Sequence, residues 1–362
     1  MLEAREVVKN LHAYRPPLAG RTGLRLDFNE STVGCSPRVL ARLRSLDSEL
    51  LARYPEREPV EKEIAGFLGL DPAQVLLTNG VDEAIHLLSS TYLDPGDEAL
   101  IVVPTFAMYA IFAQAEGARV VEVHAGDNFT FPEKALLAHL SPQTRIIAIA
   151  NPNNPTGAAV AGNVLIQIAQ AAPQAAVLVD EAYFEFHGET VIRQPRQIEN
   201  LFVARTFSKA YGLAGLRIGI LAGEARQMAM VRRVASPYNV NAAALAVLPE
   251  ALQDQEYVGR YVAQVLSNRD KLQQELGNLG LHYWPSRANF VLVHIGPAHA
   301  EFVQALRNRG ILVRNRHTEP GCEGCVRLTV GSDGHTETLI TALRDVFEQL
   351  GLRTGLPTGA RA

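Results

Sequence analysis

The stretch RTFSKAYGLAGLRIG, residues 205–219, sets one lysine, Lys209, behind the hydroxyls of Thr206 and Ser208 and ahead of a glycine-rich run that reaches Arg217. A lysine amine condenses with carbonyl compounds. Hydroxyls and a guanidinium beside it are donors for an anion, the guanidinium bidentately. Two more polar residues follow strand-like runs: RIIAIA leads into NPNNPTG with Asn154, and AAVLVD ends at Asp180 before EAYFEF. From Asn154 to Asp180 is 26 residues and from Asp180 to Lys209 is 29. Each interval fits one excursion and one returning strand, so all three can emerge on the same sheet edge, where open α/β sheets bind ligands. Singly, an Asp after a strand is a helix cap, Asn-Pro is a turn and a lysine is a solvated charge. Together they read as a site. In LLTNGVDEAIHLL a strand ends at Gly80 and the backbone N–H groups of Val81 and Asp82 open a helix, a further anion cradle.

The elements that must position these residues alternate. Apolar, β-branched runs recur at 75–78, 99–103, 118–123, 145–150, 175–180, 200–205 and 216–221, most of them separated by helix-length segments. That pattern specifies an α/β layer structure with a mainly parallel, seven-stranded sheet. Past about residue 235 helical patterns dominate 241–277, then short strands at 289–293, 311–314 and 326–330 mix with helices at 299–308 and 335–350. The expected division is a large domain over 46–245 and a smaller α+β domain over 246–352 that the segment 1–45 joins. The apolar-poor tail 353–362 is expected to be disordered.

With 362 residues, 20% of them charged, and a net charge of −4, the chain has no electrostatic reason to bind nucleic acid. Its start, MLEAREVVKN, lacks the apolar core of a signal peptide, and the most apolar stretch is broken by Pro104. Cytoplasm is the expected location, with no membrane partner. Three cysteines make no disulfide framework, and Cys322-x-x-Cys325 lacks the second pair a metal site needs. It reads as a turn entering a strand, and no metal is expected.

Pyridoxal phosphate is the cofactor that requires a lysine Schiff base and an acid at its ring nitrogen. Lys209 and Asp180 suit those two needs, and Thr206, Ser208, Arg217, Val81 and Asp82 suit its phosphate. The motifs LDFNES, RYPE, TNGVDE, PTFAMY, NPNNPTG, DEAYFEF, RTFSKAYGLAGLRIG, PYNVN, ANFVLV and VRLTVGS follow one another along the chain. In that order they resemble the fold-type I, pyridoxal-phosphate-dependent aminotransferases, and within them the histidinol-phosphate branch. The resemblance implies that Lys209 carries the cofactor, that Asp180 partners its ring nitrogen, and that Tyr183 and Asn154 donate to its ring oxygen. It places Phe106 on the ring face, where tyrosine is more usual. It has Tyr54 reach the cofactor phosphate of a neighbouring subunit, which makes a homodimer obligatory. Arg314 and Arg327 fall where the family holds the anionic end of the substrate, with Tyr14 alongside, although HAYRPP departs from the family's flanking pattern. The implied reaction transfers the amino group of histidinol phosphate to 2-oxoglutarate. An aromatic amino acid aminotransferase and a threonine-phosphate-type decarboxylase are the alternatives on the same scaffold.

Overall fold

The computed structural model describes residues 2–14 and 20–352. The tail 353–362 and the Arg15–Pro17 part of HAYRPP lie outside them. After a short N-terminal strand, β1 (Leu24–Arg25), come β2 (Val75–Thr78), β3 (Glu98–Val103), β4 (Arg119–His124), β5 (Thr144–Ala150), β6 (Ala176–Asp180), β7 (Leu201–Thr206) and β8 (Gly219–Ala222). The last seven form one sheet in the order β2-β8-β7-β6-β5-β3-β4. From β4 to β7 all neighbours are parallel, and β8 is antiparallel to β7 and β2. The expected seven-stranded, mainly parallel sheet is the one that forms. Its last strand begins at Gly219 rather than 216, because a 3-10 turn (Ala214–Leu216) and a left-handed Arg217, φ 53°, occupy the preceding residues.

Successive strand side chains point to opposite faces, so a run that is apolar at every position suits a strand covered on both sides. Val177, Val179 and Val203 pack with Leu165 and Ile168 of the helix Gly162–Ala171. Leu178, Phe202 and Ala204 pack on the other face with Ala84, Ile85 and Leu88 of the helix Val81–Tyr92. Each of these valine, leucine, isoleucine and phenylalanine side chains contributes about 1.5–3 kcal/mol by leaving water. That burial fixes where the strands end, and therefore where the polar residues beyond them stand.

The C-terminal part adds β9 (His282–Trp284), β10 (Phe290–His294), β11 (Ile311–Leu312), β12 (Arg314–Asn315) and β13 (Cys325–Thr329). Four of these make an antiparallel sheet in the order β12-β13-β10-β9. The remaining strand, β11, pairs in parallel with β1, which ties the N-terminal segment to this part of the chain. Cys325 N donates to Cys322 O at 2.9 Å and Cys325 opens β13, so the C-x-x-C is a turn entering a strand, with both residues buried. Among the described residues no helix is long and apolar enough to cross a membrane.

Candidate active site

Three parallel strands deliver the floor of the site. In register, Ala150 of β5 lies opposite Asp180 of β6, and Asp180 opposite Ala204 of β7, so the residues that follow emerge on one edge. The Asp180 carboxylate is buried; Tyr109 Oη donates to its Oδ2 at 2.6 Å and Ala182 N to its Oδ1 at 3.0 Å. Burial pushes its pKa up to about 6 against the pull of those two bonds. A buried acid in that state has a strong demand for a cationic partner. Tyr109 stands three residues after Phe106, whose ring meets it edge-on at 5.8 Å. Sequence reasoning took Phe106 from PTFAMY and missed Tyr109, although the spacing of three puts both at one helix start.

Lys209 Nζ donates to the backbone carbonyl of Phe28 at 2.9 Å and lies 5.9 Å from the Tyr183 ring centroid. Burial lowers its pKa to about 8, helped by the positive charge of Arg327 and opposed by Glu30. At neutral pH an appreciable fraction of this amine is the free base that attacks carbonyls.

Beside it lies an anion cradle. The helix Val81–Tyr92 starts at Gly80 with no side-chain cap, leaving its first N–H groups open. Gly80 has φ 77°, which favours glycine at the turn, and a Cβ there would sit 2.6 Å from Arg217 Nη2 and push the guanidinium from its place. Arg217 Nη2 meets the Asp82 carboxylate at 3.1 Å, so the Asp82 side chain steers this arginine while its N–H faces the cradle. Thr206 ends β7 and its Oγ1 accepts from Ser208 N at 3.1 Å. The Ser208 hydroxyl is buried without a partner among the described residues. A bound phosphate satisfies such a donor.

The opposite wall comes from the C-terminal sheet and the LDFNES segment. Arg327 of β13 is 4% exposed; its Nη1 donates to Asn154 Oδ1, its Nη2 to Asp27 O at 2.6 Å, and its Nε has no partner among the described residues. Burial, reinforced by the charge of Arg316, lowers its pKa to about 10. Arg314 of β12 lies directly opposite Arg327, and its guanidinium stands 5.4 Å from the Phe28 ring centroid. Like charges opposed across a ladder are unfavourable until an anion joins them. Asn29 Nδ2 donates to Tyr183 Oη at 2.9 Å, and Thr329 Oγ1 to Asn29 Oδ1 at 2.9 Å. Burial raises the Tyr183 pKa, with Arg327 and the Asn29 bond acting against it. Phe28, Asn29 and Asp27 were quoted within a motif but given no role by sequence reasoning.

One expected site residue stands apart and another lies at the rim. Tyr54 is 77% exposed and stacks on Tyr238 at 4.3 Å, outside the set just described. Tyr14 is 43% exposed, on the Arg314 side of the wall.

A half-buried amine, a buried acid, an uncapped helix start and an unpartnered buried hydroxyl form a donor set that fits pyridoxal phosphate. The family model for aminotransferase class I and II matches residues 21–344. A histidinol-phosphate aminotransferase from Caldanaerobacter subterraneus subsp. tengcongensis is 35% identical over 328 residues, 89% of this chain and 93% of the relative. Another from Rhodopseudomonas palustris is 36% identical over 341 residues, 91% of this chain and 93% of the relative. The crystal structure of the Sinorhizobium meliloti histidinol-phosphate aminotransferase with pyridoxal-5'-phosphate shares the fold, at TM-score 0.88 and 24% identity over 97% of this chain and 99% of that one. The chain belongs to the class I and II aminotransferases, enzymes that work with pyridoxal phosphate.

Proposed function

We propose that the protein transfers the amino group of histidinol phosphate to 2-oxoglutarate, forming imidazole acetol phosphate and glutamate. Two relatives with that name, each over 30% identical across nine-tenths or so of both chains, support the choice of donor. The observation that carries the site assignment is the half-buried Lys209 amine, lowered to about 8, on the sheet edge that also holds buried Asp180.

When bound, pyridoxal phosphate supplies an aldehyde for amine exchange and a protonated ring that takes up the electrons left by Cα–H cleavage. Lys209 would hold the cofactor, and once an incoming amine had taken its place the free Nζ would be placed to accept the substrate Cα proton and give it back. Asp180 keeps the ring nitrogen protonated, and Tyr109 orients that carboxylate. Tyr183 and Asn154 donate to the ring oxygen, and Phe106 covers the ring face. Thr206, Ser208, Arg217 and the N–H groups of Val81 and Asp82 hold the phosphate. Arg327 and Arg314 take the anionic end of each substrate, phosphate in one half-reaction and carboxylate in the other, with Tyr14 closing that side. Tyr54 serves the site of a second copy in a cytoplasmic homodimer; its exposure beside Tyr238, itself 53% exposed, supports this.

The experiment is a half-reaction screen. Histidinol phosphate, phenylalanine, tyrosine and threonine phosphate are each mixed with purified holoenzyme, and the loss of the cofactor's absorbance and the release of CO₂ are followed. Histidinol phosphate should react fastest, without CO₂. A clear preference for an aromatic amino acid, or CO₂ from threonine phosphate, would contradict the proposal.

A further inference from the structure

We propose that Arg316, paired with Glu319, is a third cation of the substrate-anion site and sets its preference for dianions over monoanions. This rests on the reading of Arg314 and Arg327 as that site. Arg316 stands two residues after Arg314, the interval that returns a strand to the same face. Its backbone N still donates to Cys325 O at 2.9 Å, so it remains laced to β13, the strand that carries Arg327. Arg316 is 8% exposed, and its side chain is ion-paired to Glu319 Oε1. Among the described residues, neither its Nε nor the second carboxylate oxygen of Glu319 has a partner. Apart from burial, Arg316 is the largest influence lowering the Arg327 pKa, which places the two guanidinium groups close together.

The guanidinium groups of Arg314, Arg316 and Arg327 therefore gather around Glu319, while the nearby Asp27 carboxylate, which also acts on Arg314, is already paired with Arg21. Buried charge of one sign is unfavourable without compensation, so the cluster favours further negative charge. Donor geometry points the same way. Both Nη atoms of Arg327 are engaged, by Asn154 and by the Asp27 carbonyl, which leaves its Nε for an incoming anion. A phosphate dianion needs more than one donor, and the Nε of Arg316 is the next buried one without a partner. Glu319 then has a definite part. It holds Arg316 in place before substrate arrives, and its free oxygen repels whatever anion approaches.

An ion pair that only braced the loop would weaken the site whichever partner were removed. The proposal gives opposite signs. Holoenzyme is used, so the cofactor's own phosphate site is filled, and binding is read by calorimetry with inorganic phosphate, glutarate and acetate as probes. Phosphate and glutarate should bind Arg316→Gln roughly ten-fold or more weakly, while acetate changes by less than about two-fold. Arg316→Lys should fall between, and Glu319→Gln should bind phosphate about three-fold or more tightly than wild type. The Tm of each variant identifies any that fails to fold, and Arg316→Lys then carries the comparison. Weaker phosphate binding by Glu319→Gln alongside Arg316→Gln, or wild-type binding by Arg316→Gln, would overturn the proposal. The outcome is separate from the choice of donor. Glutarate mimics the oxo-acid side, so it reports on Arg316 even if an aromatic amine proves to be the donor.

Discussion

The two walls of the site are built differently. The floor is made of strand ends and a helix start in one sheet: Asp180, Thr206 and Gly80 sit where buried apolar strands stop, and their neighbours are set by register. The facing wall is assembled across the chain. Arg327 donates to Asp27 O and Thr329 to Asn29 over 300 residues of sequence, and Lys209 reaches Phe28 O over 181. The floor holds a buried acid raised to about 6 and an amine lowered to about 8, the second within reach of a general base's working range at neutral pH. The wall holds guanidinium groups facing one another, the arrangement an anion needs. On the proposed assignment, chemistry and selection reside in separate sheets, and changes to each should fail in different ways.

The largest failure should come from the floor. Lys209→Ala should keep cofactor through the phosphate cradle and lose turnover by several orders of magnitude, with no cofactor fixed to the protein by borohydride. Cofactor trapped on another lysine would refute the assignment. Next comes Asp180→Asn, which keeps shape and removes charge. Proton transfer should slow roughly 10³-fold, read as kcat at saturating cofactor. The same change should stabilise the cofactor-free protein. Asp180 has a folded pKa of about 6 against 3.8 for the free group, so its contribution is favourable at low pH and lost as pH rises through that window. The Tm of cofactor-free Asp180→Asn should therefore exceed wild type at pH 7 and match it near pH 4; a lower Tm at pH 7 would contradict the burial argument. The smallest effect expected on this side is Tyr109→Phe, which removes one bond to Asp180. It should lower kcat roughly ten-fold with little change in KM, and should shift the acidic limb of the pH profile, which loss of packing alone would not move.

The same contrast explains what could be read from the sequence. Asp180 and Thr206 close buried strands, and Asn154 and Lys209 follow such strands within the same contiguous motifs, so the apolar run and the polar residue at its end announce each other. The strand runs were legible because burial on both faces leaves a continuous apolar signature. β9 was not, because His282, Tyr283 and Trp284 carry no such run and pair only through β10. Asn29 and Phe28 were invisible as contacts, since one acts across 154 residues and the other through a backbone carbonyl. Arg316 and Glu319 lie just past the end of β12, in a stretch that no apolar run marks, and only the fold brings them beside Arg327.

The division of labour between floor and wall is tested most directly by one cycle of four numbers. These are kcat/KM for histidinol phosphate and for histidinol, each in wild type and in Arg327→Ala, with 2-oxoglutarate held fixed. Wild type should prefer the phosphorylated amine by roughly 10²-fold or more, and Arg327→Ala should lose most of that preference, because the phosphate and the arginine are partners in one interaction. An undiminished preference in Arg327→Ala would place the phosphate elsewhere and contradict the account.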